Sequence, residues 1–106
     1  MKDGTAARPA TPVITVIREM TITHDDFFRL LPRALKNRPY QTTDQGVLIT
    51  LNNGTLKITL MPQTGRTIGA LMLPVTRIAF EFENCTAEER RQFFAGFDLA
   101  YQKGGG

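Results

Sequence analysis

The stretch VLITLNNGTLKITLM, residues 47–61, decides the fold because it carries two β-strand patterns around one turn. Its centre, Asn53-Gly54, is typical of a tight hairpin, since a two-residue type I′ turn needs positive φ at both central positions. Such a turn predicts that Leu51 lies opposite Leu56. Every second pair of the hairpin is then apolar on both strands, so one of its faces is predicted to be buried.

Further strand patterns flank this hairpin. The first and the last alternate apolar with polar side chains, and the middle one is a short apolar run that Pro74 should end. Whether residues 40–43 pair as an additional strand stays open, so we expect four or five strands. The predicted strand segments are residues 13–22, 68–73 and 76–83, with a turn at residues 62–65.

Two amphipathic helices are also predicted. The first begins at Thr23, whose hydroxyl can cap the free amides, and reaches about Asn37 with a kink or a restart at Pro32. The second follows the capping box formed by Thr86 and Glu89. Its helical spacing directs an aromatic stripe toward the core. The stripe consists of Phe93, Phe94, Phe97 and Tyr101.

The order of elements is β-α-β-β-β-(β)-α, which predicts an α+β fold: an antiparallel meander of four to five strands with both helices packed on one face. We expect a disordered leader over residues 1–12, a single domain over residues 13–103 and a flexible glycine tail over residues 104–106. The element order resembles one repeat of the TATA-box-binding protein. That resemblance concerns the fold and implies no function.

The composition is that of an ordinary globular protein. Thirteen Lys and Arg residues against ten Asp and Glu give a net charge of +3, too mild an excess to predict a nucleic-acid partner. The single cysteine, Cys85, allows no intrachain disulfide and favours a reducing compartment. No apolar run has the length that spans a bilayer. We therefore expect a cytoplasmic protein without a membrane partner.

No pattern in the sequence indicates catalysis. One His and one Cys cannot complete a zinc site, and no phosphate-binding glycine loop occurs. Cys85 is interpreted as a small residue that fills a strand-to-helix joint, and His24 as a residue of the helix start. Glu81 and Glu83 are interpreted as solvated charges on the sheet and not as a glycosidase pair. We expect no enzyme activity, no metal and no cofactor.

Two surfaces are candidates for binding. The predicted outer face of the sheet is part apolar and part charged, which suits a protein partner or a second copy of the chain; an ordinary solvent-facing sheet explains it equally well. A basic ridge on the first helix could contact nucleic acid, although a solvated helix face also accounts for it. The sheet-face candidates are Leu48, Thr50, Lys57, Thr59, Met61 and Ala79, and the ridge consists of Arg29, Arg33 and Lys36.

These observations favour a non-enzymatic interaction or accessory domain, with a homodimer through the sheet face or an edge strand as one arrangement. Weak nucleic-acid binding through the ridge is the first alternative. The second rests on Gly104–Gly106, which resembles the diglycine tails of ubiquitin-like sulfur carriers; the resemblance implies a carrier whose terminal carboxylate is activated. In those carriers the tail follows a strand, whereas here a predicted helix precedes it, so helix termination is the simpler interpretation.

Overall fold

A computed structural model of the chain describes residues 12–103. The predicted leader, apart from Pro12, and the predicted glycine tail lie outside these residues. The elements are, in order, β1 (Val13–Met20), α1 (His24–Ala34), β2 (Tyr40–Thr42), β3 (Gly46–Thr50), β4 (Thr55–Leu60), β5 (Thr64–Ile68), β6 (Leu71–Glu83) and α2 (Ala87–Lys103).

The strands form one antiparallel arrangement in the order β1-β6-β4-β3-β2, with β5 paired to the first part of β6. Strands β2, β3, β4 and β6 lie side by side as a meander, β5 pairs only with β6, and β1 adds to the edge beside β6. Residues of α1 and α2 share a single apolar core with the inner face of the sheet, so both helices cover the same face. The α+β class and the one-sided helices are as predicted. Strand β2 is the additional strand whose pairing the sequence left open. Strand β5 is a sixth strand, one more than the four or five that were predicted.

The register of the β3–β4 hairpin differs from the prediction. A four-residue loop joins the strands, so Leu56 lies opposite Ile49 rather than Leu51. Gly54 does not adopt positive φ. It approaches the end of β6 so closely that a β-carbon would lie 2.7 Å from the carbonyl carbon of Asn84. Residue 54 is therefore a glycine because a side chain would not fit against β6, and not because the turn needs positive φ. The shift amounts to two residues, and it keeps every side chain on its predicted face.

Strand β6 is longer than predicted. The chain does not turn at residues 62–65; it turns at Gly69-Ala70, where Gly69 has a φ of 60°. Strand β6 then continues through Pro74, which was expected to end it. Residues 71–75 pair with β5 on one side only, and a residue without an N–H is tolerated on the open side. We call this two-stranded extension, β5 with residues 71–75, the arm.

The core lies between the inner face of the sheet and the two helices. Phe27 of α1 and Phe97 of α2 are completely buried, and the Tyr101 ring stacks on Phe27 with the centroids 5.5 Å apart. The Tyr101 hydroxyl donates to the Phe27 carbonyl at 2.6 Å, which ties the last part of α2 to the start of α1. The fully buried aliphatic and aromatic residues of the sheet are Val47, Ile49, Leu56, Ile58, Ile78, Phe80 and Phe82.

Both helices begin as predicted. The Asp26 amide donates to the Thr23 hydroxyl at 3.0 Å. In α2 the Glu89 amide donates to the Thr86 hydroxyl at 3.0 Å, while the Glu89 carboxylate accepts from the Thr86 amide at 2.7 Å. This reciprocal pair is the capping box that the sequence indicates.

Helix α1 ends in a left-handed turn. It does not restart at Pro32 but continues to Ala34. The Lys36 amide donates to the Arg33 carbonyl at 3.1 Å, and the Asn37 amide donates to the Pro32 carbonyl at 2.9 Å, which is the Schellman pattern. Glycine usually occupies the first left-handed position, but here Lys36 has a φ of 55°. A lysine in this conformation costs about 1 kcal/mol.

Candidate interaction surfaces

The sheet-face candidates share the side of the sheet that faces away from the helices. On β3 and β4, Leu48 and Lys57 alternate with buried neighbours, as do Thr50 and Thr59. Met61 continues this alternation just after β4 and is half-buried. Ala79, which was expected to face solvent, is only 8% exposed, because its short side chain lies between the longer ones of adjacent strands. Among these six residues Leu48 alone is a large, exposed apolar side chain, so this part of the face is mostly polar.

The exposed apolar residues of the outer face lie instead on β1. Val13 is 53% exposed and Ile17 is 50% exposed. One side of β1 pairs with β6, and none of residues 12–103 pairs with its other side. Natural edge strands are usually protected by a charge, a proline or a bulge. Residues 13–17 contain none of these, and their pairing with β6 is continuous. The surface formed by this strand is called the β1 edge below.

Helix α2 covers part of the inner side of β1, where Ile14 stays 38% exposed. Arg18 points inward and its guanidinium lies 4.0 Å from the centre of the Phe94 ring, where it also forms an ion pair with Asp98. This contact explains why a charged residue interrupts the apolar side of β1. The outer side of the strand, with Val13 and Ile17, is more exposed than this covered part.

The arm carries the two most exposed large apolar side chains of the described chain, Leu71 at 63% and Met72 at 68%. Glu19 of β1 forms an ion pair with Arg66 of the arm and another, at 3.8 Å, with Arg77 of the main sheet. A lone two-stranded hairpin is marginally stable in water. The ion pair between Glu19 and Arg66 links the arm to the edge strand β1.

The predicted basic ridge is exposed, with Arg29 and Arg33 on α1 and Lys36 in the turn that follows it. Arg29 forms an ion pair with Asp26 at 3.2 Å. Over residues 12–103, no acidic side chain lies within ion-pair distance of Arg33 or Lys36. The ridge thus contributes two cations, and both border a groove between the helices.

This groove has a volume of about 530 Å³ and runs between α1 and α2. Its α2 side is formed by Ala95, Gly96, Leu99 and Ala100, with Gln92 at one end. Leu99 is 54% exposed. No acidic residue of the described chain lines it. We call it the interhelical groove.

Cys85 lies half-buried in the joint between β6 and α2, as interpreted from the sequence. Its sulfur lies 3.5 Å from the Glu83 carbonyl oxygen and 3.8 Å from that of Thr55. Burial, and then the nearby Glu89 carboxylate, raise the pKa of the Cys85 thiol. These surroundings disfavour the thiolate that a nucleophile requires.

The other polar candidates have structural contacts. The His24 Nε2 atom lies 2.8 Å from the Met61 carbonyl oxygen, which connects α1 to the end of β4. Glu81 lies on the outer face opposite Lys57, and Glu83 follows on the same face. Within the described range, His, Cys, Asp and Glu side chains nowhere gather in a group of three that could hold a metal ion. Neither described helix is long and apolar enough to cross a membrane.

Comparison with known proteins gives no match: no family model, no curated protein and no solved structure is similar to this chain. The resemblances to the TATA-box-binding repeat and to the sulfur carriers therefore stay predictions, and the carrier-like tail lies outside the described residues. A proposal for function has to rest on the surfaces themselves.

Sequence reasoning missed the β1 edge and the interhelical groove. The alternation in β1 does place Val13 and Ile17 on the outer face of the sheet, and this pattern could have identified them as exposed apolar residues. Whether β1 is an edge depends on strand order, which alternation does not determine. The groove depends on the spacing of two helices that are distant in sequence.

Proposed function

We propose that this chain is a non-enzymatic interaction domain that forms a homodimer by pairing the β1 edges of two copies. The observation that carries the proposal is the uncharged edge over residues 13–17, with which no other strand of the described residues pairs on the side away from β6. Unpaired backbone N–H and C=O groups on such an edge form a template for another strand. Strand addition provides affinity through main-chain hydrogen bonds and specificity through alternate side chains.

A two-fold axis through the middle of β1 accommodates both copies. Antiparallel pairing would continue the sheet from one protomer into the next, with the central residue opposite its own counterpart. In a register centred on Ile17, Glu19 lies opposite Thr15 and Arg18 lies opposite Val16, so no like charges face one another. Ile17 and its neighbours on the outer face would then lose apolar exposure, at about 25 cal/mol for each Å² buried.

The sheet face remains the second geometry for the same function. Leu48 lies on β3, three strands away from β1, which corresponds to roughly 14 Å at the usual strand spacing. A charge placed on Leu48 would therefore disturb a face-to-face dimer and leave an edge-to-edge dimer intact. This separation allows one experiment to distinguish the two geometries.

The test is light scattering during gel filtration, at concentrations up to roughly 100 µM. Ile17→Lys would set like charges opposite each other across the pairing strands, and Leu48→Lys is the matched control. We expect the wild type and Leu48→Lys to be dimers and Ile17→Lys to be a folded monomer by circular dichroism. Loss of the dimer in Leu48→Lys would move the interface to the sheet face. A wild type that stays monomeric would refute the proposal.

A cytoplasmic location is part of the proposal. Cys85 is the only cysteine of the chain and is a free thiol, which suits a reducing compartment. Nucleic-acid binding by the ridge has less support, because Asp26 pairs with Arg29 and leaves two cations for a phosphate backbone.

A further inference from the structure

We propose that the interhelical groove binds an acidic amphipathic helix from a protein partner. The groove combines an uncharged α2 side, formed by Ala95, Gly96, Leu99 and Ala100, with two cations, Arg33 of α1 and Lys36 of the turn that follows it. It lies in the helical layer, so this proposal goes beyond the β1 dimer and does not depend on it.

The solvent side of α2 is poor in charged residues over its second half. Helices on a protein surface normally turn charged residues toward water. Between residues 92 and 102 the sequence contains one charged residue, Asp98, and that residue faces β1, where it pairs with Arg18. The exposed residues of this stretch are therefore uncharged: Gln92, Ala95, Leu99 and Gln102. An exposed, uncharged helix side beside a groove is typical of a surface that contacts another protein.

Positively charged side chains lie along one side of the groove. Lys36 leans across α2: its Cε atom lies 3.8 Å from the point that a β-carbon on Gly96 would occupy. Arg38 lines a smaller cleft that adjoins the groove. The acid in that cleft, Glu89, is already engaged in the capping box. Carboxylates of a bound segment would thus meet cations along this side of the groove, and charge complementarity of this kind selects and steers partners.

The backbone at Lys36 is in the left-handed region. Its φ of 55° is a conformation in which glycine is the more stable residue. Residues held in sparsely populated backbone regions cluster at functional sites. A cationic side chain at this position gives the groove a charge that glycine could not provide.

The shape of the groove favours a helix. From Gln92 to Leu99 it follows about two helical turns, roughly 11 Å at 1.5 Å per residue, which suits apolar anchors spaced i, i+4 and i+7. Both walls are helices whose interior amides bond within the helix, so they offer no edge to an extended strand. Nucleic acid would use the cations but would gain nothing from the uncharged side formed by Ala95 and Leu99.

Binding can be measured by fluorescence anisotropy with a labelled peptide of about four helical turns. The peptide carries Leu at i, i+4 and i+7 and Glu on its other face; a version with Lys in place of Glu and a single-stranded DNA oligonucleotide are the comparison probes. We expect the acidic peptide to bind and the basic one not to bind. Lys36→Glu and Leu99→Ser should each weaken binding about tenfold, while Lys57→Glu and Leu71→Ser, exposed residues of the same types elsewhere, should not.

Two results would overturn the proposal. One is the absence of acidic-peptide binding at about 50 mM salt, where charge pairing is little screened. The other is binding of the oligonucleotide that Lys36→Glu abolishes and Leu99→Ser leaves unchanged, which would assign the cations to nucleic acid.

Lys36→Gly separates binding from folding. Glycine relieves the left-handed strain, so this variant should melt at a higher temperature than the wild type and still bind the acidic peptide more weakly. Wild-type affinity in Lys36→Gly would contradict the role of the lysine. The Ile17→Lys variant should bind the peptide normally, so failure of the dimer and failure of the groove can be told apart.

Discussion

Replacing Gly54 with alanine tests the contact between the β3–β4 loop and the end of β6. A β-carbon at this position would overlap the carbonyl oxygens of Glu83 and Asn84. These are backbone atoms, and Asn84 is already in a left-handed conformation with a φ of 59°, so the loop has to move. Its movement would break the hydrogen bond from the Asn84 Nδ2 atom to the Asn53 carbonyl, which is 2.7 Å long.

The expected loss of stability combines three effects. Forcing an extra methyl group into a packed contact costs about 1–3 kcal/mol, and the lost hydrogen bond costs about 1 kcal/mol. The lower entropy of the unfolded alanine chain offsets about 0.4–1 kcal/mol. We therefore expect the free energy of unfolding to fall by about 1–3.5 kcal/mol, which lowers the Tm of a domain of this size by roughly 4–8 °C for each kcal/mol.

Urea denaturation at fixed protein concentration, with an unchanged m-value, measures this loss. Gly96→Ala is the matched control. Gly96 lies in α2, and the nearest atom to an added β-carbon, the Lys36 Cε, is at an ordinary contact distance of 3.8 Å. Alanine there should stabilise the helix by about 0.5–1 kcal/mol. Alanine at Gly54 that is neutral or stabilising would refute the close approach of loop and strand.

Three further outcomes are expected. Phe80→Ala should lower the free energy of unfolding by about 3–5 kcal/mol in urea denaturation, because the buried ring packs against three aromatic rings of α2. Thr76→Val keeps the side-chain shape but removes the buried hydroxyl that donates to the Ile22 carbonyl at 2.8 Å; stability measured the same way should fall by about 1–3 kcal/mol. The hydrogen bond from the Thr86 amide lowers the pKa of Glu89 below its ordinary value of 4.5. The ionised Glu89 carboxylate therefore contributes to stability above pH 4.5, and this contribution is lost as the pH falls through the lowered pKa. Glu89→Gln should therefore reduce the fall of Tm that acidification causes.

Alternating hydrophobicity predicted the buried faces because side-chain direction repeats every two residues along a strand. It could not distinguish the hairpin register from one shifted by two, since both registers bury the same face. The contact of Gly54 with β6 distinguishes them, and that contact is tertiary. Pro74 shows the same limit, because its place inside β6 depends on an open side that no local pattern reveals.

The candidate surfaces were predictable in part. Helical and strand spacing predicted that Leu48 and the basic ridge face away from the core. The β1 edge requires the strand order, and the interhelical groove requires the distance between α1 and α2. Lys36 could not be anticipated either, because the local rule for a left-handed helix end favours glycine.

Strand β6 begins in the exposed arm and ends between β1 and β4, so one strand joins solvent to the centre of the sheet. Its backbone amides should therefore exchange with deuterium quickly near Leu71 and slowly near Phe82, a gradient of local opening within a single element. A load applied at the arm would act along the strand axis, where the hydrogen bonds to both neighbouring strands resist together. Force applied to the arm would therefore be transmitted through a single strand to the most protected part of the sheet.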